Sequence, residues 1–358
     1  MDPDTATTDP QPPVDPSAAD ASPSPVGAHD APTSHRNEVR RSGRRRFTTP
    51  VCWTLASLLA AFAIMRVFGL ERTWFLSTPL VFTPYVAGLG ILFVGLALVA
   101  RRWWASAVAT AAVTALVWGL VPLAVGSPNP GPGPTLHVLS SNMKIGAADP
   151  ATILGLARQH LTDVLALDEY TPEAQAALAA AGINAMFPYS AQTPIYGAVG
   201  SAIFSRYPIR DTGYRHLAGG YGQEFATVVV PGALPVLIEA VHTAAPVGPS
   251  AESIWNGSID QEPPASPHGA VRLLIGDFNS TLDQHRLRTL LATGYRDVAA
   301  QVGQGLDTTW PYDGRPIPPV TLDHMFADPR IGVIRFGSGQ VPGTDHKAIY
   351  ATLTLPVG

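Results

Sequence analysis

Three long apolar stretches open the ordered pattern of the chain: Val51 to Leu70, Pro79 to Ala100 and Trp103 to about Val125. The first has 20 residues, which at a helical rise of 1.5 Å matches a hydrocarbon core of roughly 30 Å, and the other two are as long. All three are predicted to be transmembrane helices, with Trp74, Trp103, Trp104 and Trp118 near their ends as interfacial anchors. From Thr135 the pattern changes to short apolar runs broken by helical stretches. The runs are Leu136–Ser140, Val164–Leu167, Ser201–Phe204, Ala226–Val230, Val236–Val241, Leu273–Ile275, Thr321–Phe326 and Ala348–Leu355, with helices expected near Pro150–His160 and Pro172–Ala181. Strands alternating with helices, then strand-rich runs, predict one α/β domain over 135–358.

The flanks refine this division. Residues 1–39 are rich in Pro, Ala, Ser, Thr and Asp and nearly lack large apolar side chains, so a disordered tail is expected. With the Arg40–Arg46 cluster it makes a segment 1–46, followed by a membrane segment 47–126. Five arginines precede the first span and Arg101-Arg102 separate the second from the third, whereas only Glu71 and Arg72 lie between the first two. The positive-inside rule therefore predicts a plasma-membrane protein with a cytoplasmic N-terminus and an extracytoplasmic domain beyond residue 126. Arg66, inside the first span, is expected to snorkel from near its outer end. Residues 127–134, Ser-Pro-Asn-Pro-Gly-Pro-Gly-Pro, read as a semi-rigid spacer.

Charge narrows the partners. Residues 134–358 hold 13 Lys and Arg against 19 Asp and Glu, a net of −6, which offers no broad basic stripe for duplex nucleic acid. Cys52 is the single cysteine and lies in an apolar run, so no intrachain disulfide forms.

Chemistry gathers where the predicted strands end. Leu273-Leu274-Ile275-Gly276-Asp277-Phe278-Asn279 reads as a buried strand stopped by glycine, and the spacing of two places Asp277 and Asn279 on one face. Asn142, Glu169 and His242 follow three other runs, Asp323 lies within Val320–Phe326, and Asp345-His346 precede the last run. Singly, each admits a structural explanation: a turn former for Asn142, a helix N-terminal charge for Glu169, a satisfied buried histidine for His242, a salt-bridge partner for Asp323. Six strands presenting such residues at corresponding ends make a set suited to phosphoester cleavage, in which carboxylates bind a hard cation or orient water and imidazoles neutralise charge.

The pieces Ser141-Asn142, Leu167-Asp168-Glu169, Gly200–Ile209, Val241–Pro246, Ile275–Asn279, Thr309-Trp310, Leu322-Asp323-His324 and Gly343–His346 stand in the order seen in the DNase I-like endonuclease/exonuclease/phosphatase superfamily, which the chain resembles over 135–358. The resemblance implies a four-layer α/β/β/α sandwich. It further implies a Mg²⁺ (or Mn²⁺) site with Glu169 as main ligand and Asn142 and Asp345 nearby. Asp277 would orient or deprotonate water, Asn279 would hold a phosphate oxygen, His346 and His242 would flank the scissile phosphate, and Asp323 would fix a histidine tautomer. Two departures are Asp168, where a Gln is frequent, and Lys144, where an acidic residue is frequent. Ala244–Gly269 is Pro-, Ser- and Gly-rich and is expected to be irregular.

Three spans ahead of such a domain are similar to the membrane-anchored phosphoesterases linked to teicoplanin resistance in actinobacteria. This implies a hydrolase of phosphate or pyrophosphate esters of a membrane or cell-wall lipid, with a membrane-tethered nuclease as the alternative and a non-catalytic surface protein as a third. No protein partner is inferable.

Overall fold

A computed structural model describes residues 33–246 and 248–358; the tail expected over 1–32 lies outside them. The first helix runs Thr33–Phe68 and includes the apolar span Thr49–Phe68. Residues 33–39, expected in the disordered tail, are therefore helical, consistent with the absence of any proline between Pro32 and Pro50. The second span, Trp74–Val99, begins earlier than expected: a helical turn Trp74–Ser77 and a 3₁₀ turn Thr78–Phe82 precede the α-helix Thr83–Val99. Pro79 and Pro84 sit where helical segments start, where the missing N–H is tolerated. The third helix long and apolar enough to cross a membrane is Trp103–Val125; the three are called spans below. Small residues line the contact between the spans, with Ala56, Ala63, Ala87, Ala105 and Ala109 buried, so the helices approach closely.

The rest of the chain forms twelve strands: β1 Thr135–Asn142, β2 Val164–Asp168, β3 Tyr189–Thr193, β4 Ser201–Ser205, β5 Ile209–His216, β6 Gly222–Val228, β7 Val236–His242, β8 Val271–Asp277, β9 Arg296–Asp297, β10 Asp323–Ala327, β11 Gly332–Gly339 and β12 Ala348–Thr354. They make two six-stranded sheets, ordered β11-β12-β1-β2-β4-β3 and β5-β6-β7-β8-β10-β9. Alternate residues of the central strands interlock between the sheets: Leu136, Val138, Val164, Ala166 and Ile203 from one, Ile238, Ala240, Leu273, Ile275 and Met325 from the other. The intervening residues face outer helices. Leu139, Leu165 and Leu167 pack on Pro150–Gln159 and Pro172–Ala180; Leu274 and Phe326 pack on His285–Ala292. Burial on both faces explains why these strands read as unbroken apolar runs. The fold is the expected α/β/β/α sandwich behind three apolar helices.

Register brings the strand ends together. β1 and β2 are parallel and finish at the pair Asn142 and Asp168; β7 and β8 are parallel and finish at His242 and Asp277; antiparallel β10 starts with Asp323 opposite Asp277. Between the sheets, the Asp277 N–H donates to Asp168 Oδ2 at 3.2 Å. Gly276 makes this contact feasible, since a Cβ there would lie 2.6 Å from Asp168 Oδ2 and 2.1 Å from the Val241 carbonyl oxygen.

The spans are not merely tethered. Arg66, expected to snorkel, is instead buried, and its Nε donates to Asp283 Oδ1 at 2.6 Å. Arg288 donates to the Arg66 carbonyl at 2.6 Å, Gln284 to Ser77 Oγ at 2.8 Å, and Tyr85 Oη to the Pro319 carbonyl at 2.7 Å. Gly119 of the third span clears the space, because a Cβ there would sit 2.2 Å from the Arg66 guanidinium. Residues 127–134 also lie against the domain, with Ser127 N donating to the Gln301 carbonyl and Gly131 N to Thr354 Oγ1. The segment read as a spacer is a docked strap.

Candidate active site

Asp277 is the hub. Its Oδ2 accepts from Asn142 Nδ2 at 3.0 Å and faces His346 Nε2 at 3.6 Å and His242 Nε2 at 3.9 Å. Its Oδ1 accepts from the Asn279 N–H at 2.8 Å. Asn279 does not share a strand face with Asp277, as the spacing of two suggested. The strand ends at Asp277, and Asn279 has a left-handed backbone (φ 45°), which the bond from its own N–H to Asp277 Oδ1 helps hold. Its side-chain amide donates to the Thr243 carbonyl at 2.8 Å.

Glu169 also has positive φ (56°), as do Lys144 and Ile145 (47° and 53°) beside Asn142. Left-handed backbone at non-glycine residues costs free energy and collects where surrounding structure fixes a functional geometry. Here it aims groups at Glu169: the Ile145 N–H donates to Oε2 at 2.7 Å, and Asn142 Nδ2 reaches Oε1 at 3.1 Å. His242 Nε2 stands 3.6 Å from Oε1, while its Nδ1 lies 2.8 Å from the Ala198 carbonyl, which requires a proton on Nδ1 and leaves Nε2 turned to the carboxylates.

On the opposite flank His346 Nδ1 lies 3.0 Å from Asp323 Oδ2. The Asp323 N–H donates to Thr309 Oγ1, which also accepts from Leu322 N. Burial alone would lower the His346 pKa, but the Asp323 and Asp277 carboxylates outweigh it and push the imidazole up to about 10. His346 is thus the cationic member of the cluster. Burial raises the pKa of Asp277 despite His346. Asp168 is raised well above the ordinary carboxylate range, first by burial and then by Asp277, and its Oδ1 has no hydrogen-bond partner.

Hydrogen bonds and close charged contacts join Asn142, Glu169, His242, Asp277, Asn279, Asp323 and His346. Asp345 has its own set of partners. It accepts from Trp310 Nε1 at 3.0 Å and is paired with Arg315 at 3.0 Å and Lys144 at 3.4 Å. Burial would raise its pKa; the Trp310 N–H and the neighbouring cations make the net shift downward. Arg315, whose guanidinium also stacks over Trp310, lies in the Asp313-Gly314-Arg315 loop, which follows no strand pattern that would single it out. Lys144, a departure noted in the sequence, is half-exposed beside it.

The donor chemistry fits a hard divalent cation at Glu169. It is a carboxylate with both oxygens directed by hydrogen bonds, beside an amide, and no Lys or Arg is paired with it among the described residues. Asp277, Asp323 and His346 form a second grouping, each offering one ligand atom within 4.8 Å of the others. The His346 to Asp323 contact at 3.0 Å reads more directly as a hydrogen bond that sets the imidazole tautomer than as shared coordination.

A family model for the endonuclease/exonuclease/phosphatase family matches residues 139–346, more than half of the chain. The chain belongs to the endonuclease/exonuclease/phosphatase family. It is a hydrolase of phosphoesters, of a family that is generally dependent on a divalent metal. Similar solved structures include an endonuclease/exonuclease/phosphatase from Beutenbergia cavernae DSM 12333, 20% identical over 62% of this chain and 72% of that one, with a TM-score of 0.46. Others are TDP2 from Caenorhabditis elegans, 16% identical over 70% and 82% at 0.49, and a Staphylococcus aureus beta toxin, 18% identical over 60% and 99% at 0.43. No curated protein matches the chain at a significant level.

Proposed function

We infer that this family member is a membrane-anchored, extracytoplasmic phosphoesterase that hydrolyses phosphate or pyrophosphate esters of a membrane lipid, such as a cell-wall intermediate. The observation that carries this reading is the docking of the spans onto the catalytic loop. Asn279 is followed by Ser280–Arg288, and within that segment Asp283, Gln284 and Arg288 bond to Arg66 and Ser77 of the first two spans. A soluble substrate needs no such attachment, whereas a lipid headgroup is concentrated at the bilayer face where the attachment holds the site. Of the domain contacts named above, those of Arg66, Ser77 and Ser127 lie at the end of the first span, near the start of the second and just past the end of the third, and that of Tyr85 lies within the second. The arginines of 40–46 and Arg101-Arg102 lie at the opposite ends, which supports an outward-facing domain. The division into tail, spans, strap and domain, and a setting in glycopeptide resistance, belong to this reading.

A divalent cation bound at Glu169 and Asn142 would supply charge neutralisation for a phosphoryl oxygen. The chain's own groups do the rest. Asp277 orients the attacking water and accepts its proton, held by Asn142 and the Asn279 N–H. His346, positively charged and oriented by Asp323, neutralises charge growing on the phosphoryl oxygens. His242, with Nδ1 committed to the Ala198 carbonyl, presents Nε2 on the leaving-group side, and the Asn279 amide holds a phosphate oxygen. Asp345 and its cations form the rim on the His346 flank.

The test is a comparison of substrates by the full-length protein in detergent with Mg²⁺. Phosphate release from a polyprenyl pyrophosphate, without nicking of plasmid DNA, is expected. Plasmid nicking without release from the lipid would replace this reading with that of a tethered nuclease.

A further inference from the structure

A cavity of about 300 Å³ lies between the spans and the catalytic domain. Val81, Pro84 and Tyr85 of the second span and Leu123 of the third form one side, and Leu282 and Leu306 of the domain stand among the residues opposite. The charged groups of its wall are already paired, and two of its hydroxyls are engaged. Asp283 is paired with Arg66, the Thr321 hydroxyl donates to the Asp307 carbonyl, and Thr281 Oγ1 accepts from Asp283 N. His324 places one ring nitrogen 3.0 Å from Asp297 and the other 3.0 Å from the Ser280 carbonyl. No charged group is left to greet a headgroup, so the space suits hydrocarbon.

Two features say which hydrocarbon. The span residues that wall the cavity lie within segments long and apolar enough to cross a bilayer, and Leu89 and Val121 on the same helices are exposed apolar side chains. Tyr85 and Leu306, which line the cavity and are themselves partly exposed, stand at its edge. On the domain side the wall includes Thr281, two residues after Asn279, and His324, the neighbour of Asp323. We propose that this cavity receives the proximal part of the substrate's hydrocarbon chain, drawn sideways from the bilayer while the phosphate lies at Asp277 and Glu169. The proposal rests on the lipid reading of the function and adds the place where the chain is recognised.

Leu306→Trp, in the full chain, fills the cavity from its edge without touching the catalytic cluster. For a long-chain polyprenyl pyrophosphate, KM is expected to rise at least about tenfold, while kcat/KM for the chain-free bis(p-nitrophenyl) phosphate stays within about twofold of wild type. An unchanged KM for the long-chain substrate in a folded variant overturns the proposal. A second measurement does not depend on turnover. A phospholipid with a diazirine in its acyl chain, incorporated with the protein into nanodiscs, is expected to label peptides containing Val81–Tyr85 or Leu306, with labelling lost in Leu306→Trp. Labelling confined to other faces of the spans overturns the cavity. Label at the cavity without hydrolysis of any polyprenyl substrate would retain the chain site and remove the proposed reaction.

Discussion

Arg66→Leu perturbs the joint between the apolar helices and the site most sharply. Asp283 is almost wholly buried, its pKa raised by burial and held down in part by Arg66. Removing the guanidinium leaves a buried carboxylate without its nearest cation, a change that costs about 3–5 kcal/mol in comparable buried pairs. The Arg288 guanidinium, which donates to the Asp283 carbonyl oxygen, offsets part of this by its charge. In thermal unfolding of the detergent-solubilised protein the midpoint is expected to fall by on the order of 5–10 °C. The pH dependence carries the signature. A carboxyl whose folded-state pKa is raised contributes stability that is fully present below its unfolded value, about 3.9, and is lost as pH rises through the folded value. The deficit of Arg66→Leu is therefore largest at neutral pH and shrinks on acidification. Arg66→Leu/Asp283→Leu, which replaces the pair with apolar side chains, is expected to recover most of the loss. An unchanged midpoint at neutral pH, or a deficit that does not depend on pH, would refute a buried ion pair as the clasp.

Asp323→Asn keeps the shape of the site but removes the carboxylate that orients and charges His346. Turnover on a chromogenic phosphodiester is expected to fall at least about a hundredfold with KM little changed, measured by steady-state kinetics. Gly119→Ala pushes a methyl into the Arg66 guanidinium and is expected to destabilise by about 1–3 kcal/mol, read by chemical denaturation, while Gly88→Ala, where nothing lies within 4 Å, is neutral or stabilising. Wild-type stability in Gly119→Ala would show that Arg66 has another place to go.

Much of the site was legible because it lies at the ends of strands buried on both faces. Leu273–Ile275 and Val236–Val241 stand out as apolar runs, and their ends point to Asp277 and His242. β5 and β11 give no apolar run because they carry Arg, Asp, Tyr, Gly and Ser on partly exposed faces at sheet edges. The segment Ala244–Gly269, expected to be irregular, contains the helix Pro249–Asp260. Its Gly and Ser content hid it, and its support is tertiary: Trp255 and Ile259 pack with Ala244, and Trp255 Nε1 donates to Ser280 Oγ. Arg66 lies within the first apolar stretch, yet its partner is 217 residues away and no local pattern announces it. The cationic shell around Asp345 is of the same kind, since Arg315 comes from a loop with no period.

The most direct test of the central claim is turnover of a chromogenic phosphodiester by the purified full-length protein with Mg²⁺, with excess EDTA, and in the variants Glu169→Gln and His346→Ala. Hydrolysis that EDTA abolishes, with losses of at least about a hundredfold in both folded variants, is the expected result. Rates near wild type in either variant would contradict the assignment of the Asp277-centred cluster as the catalytic centre.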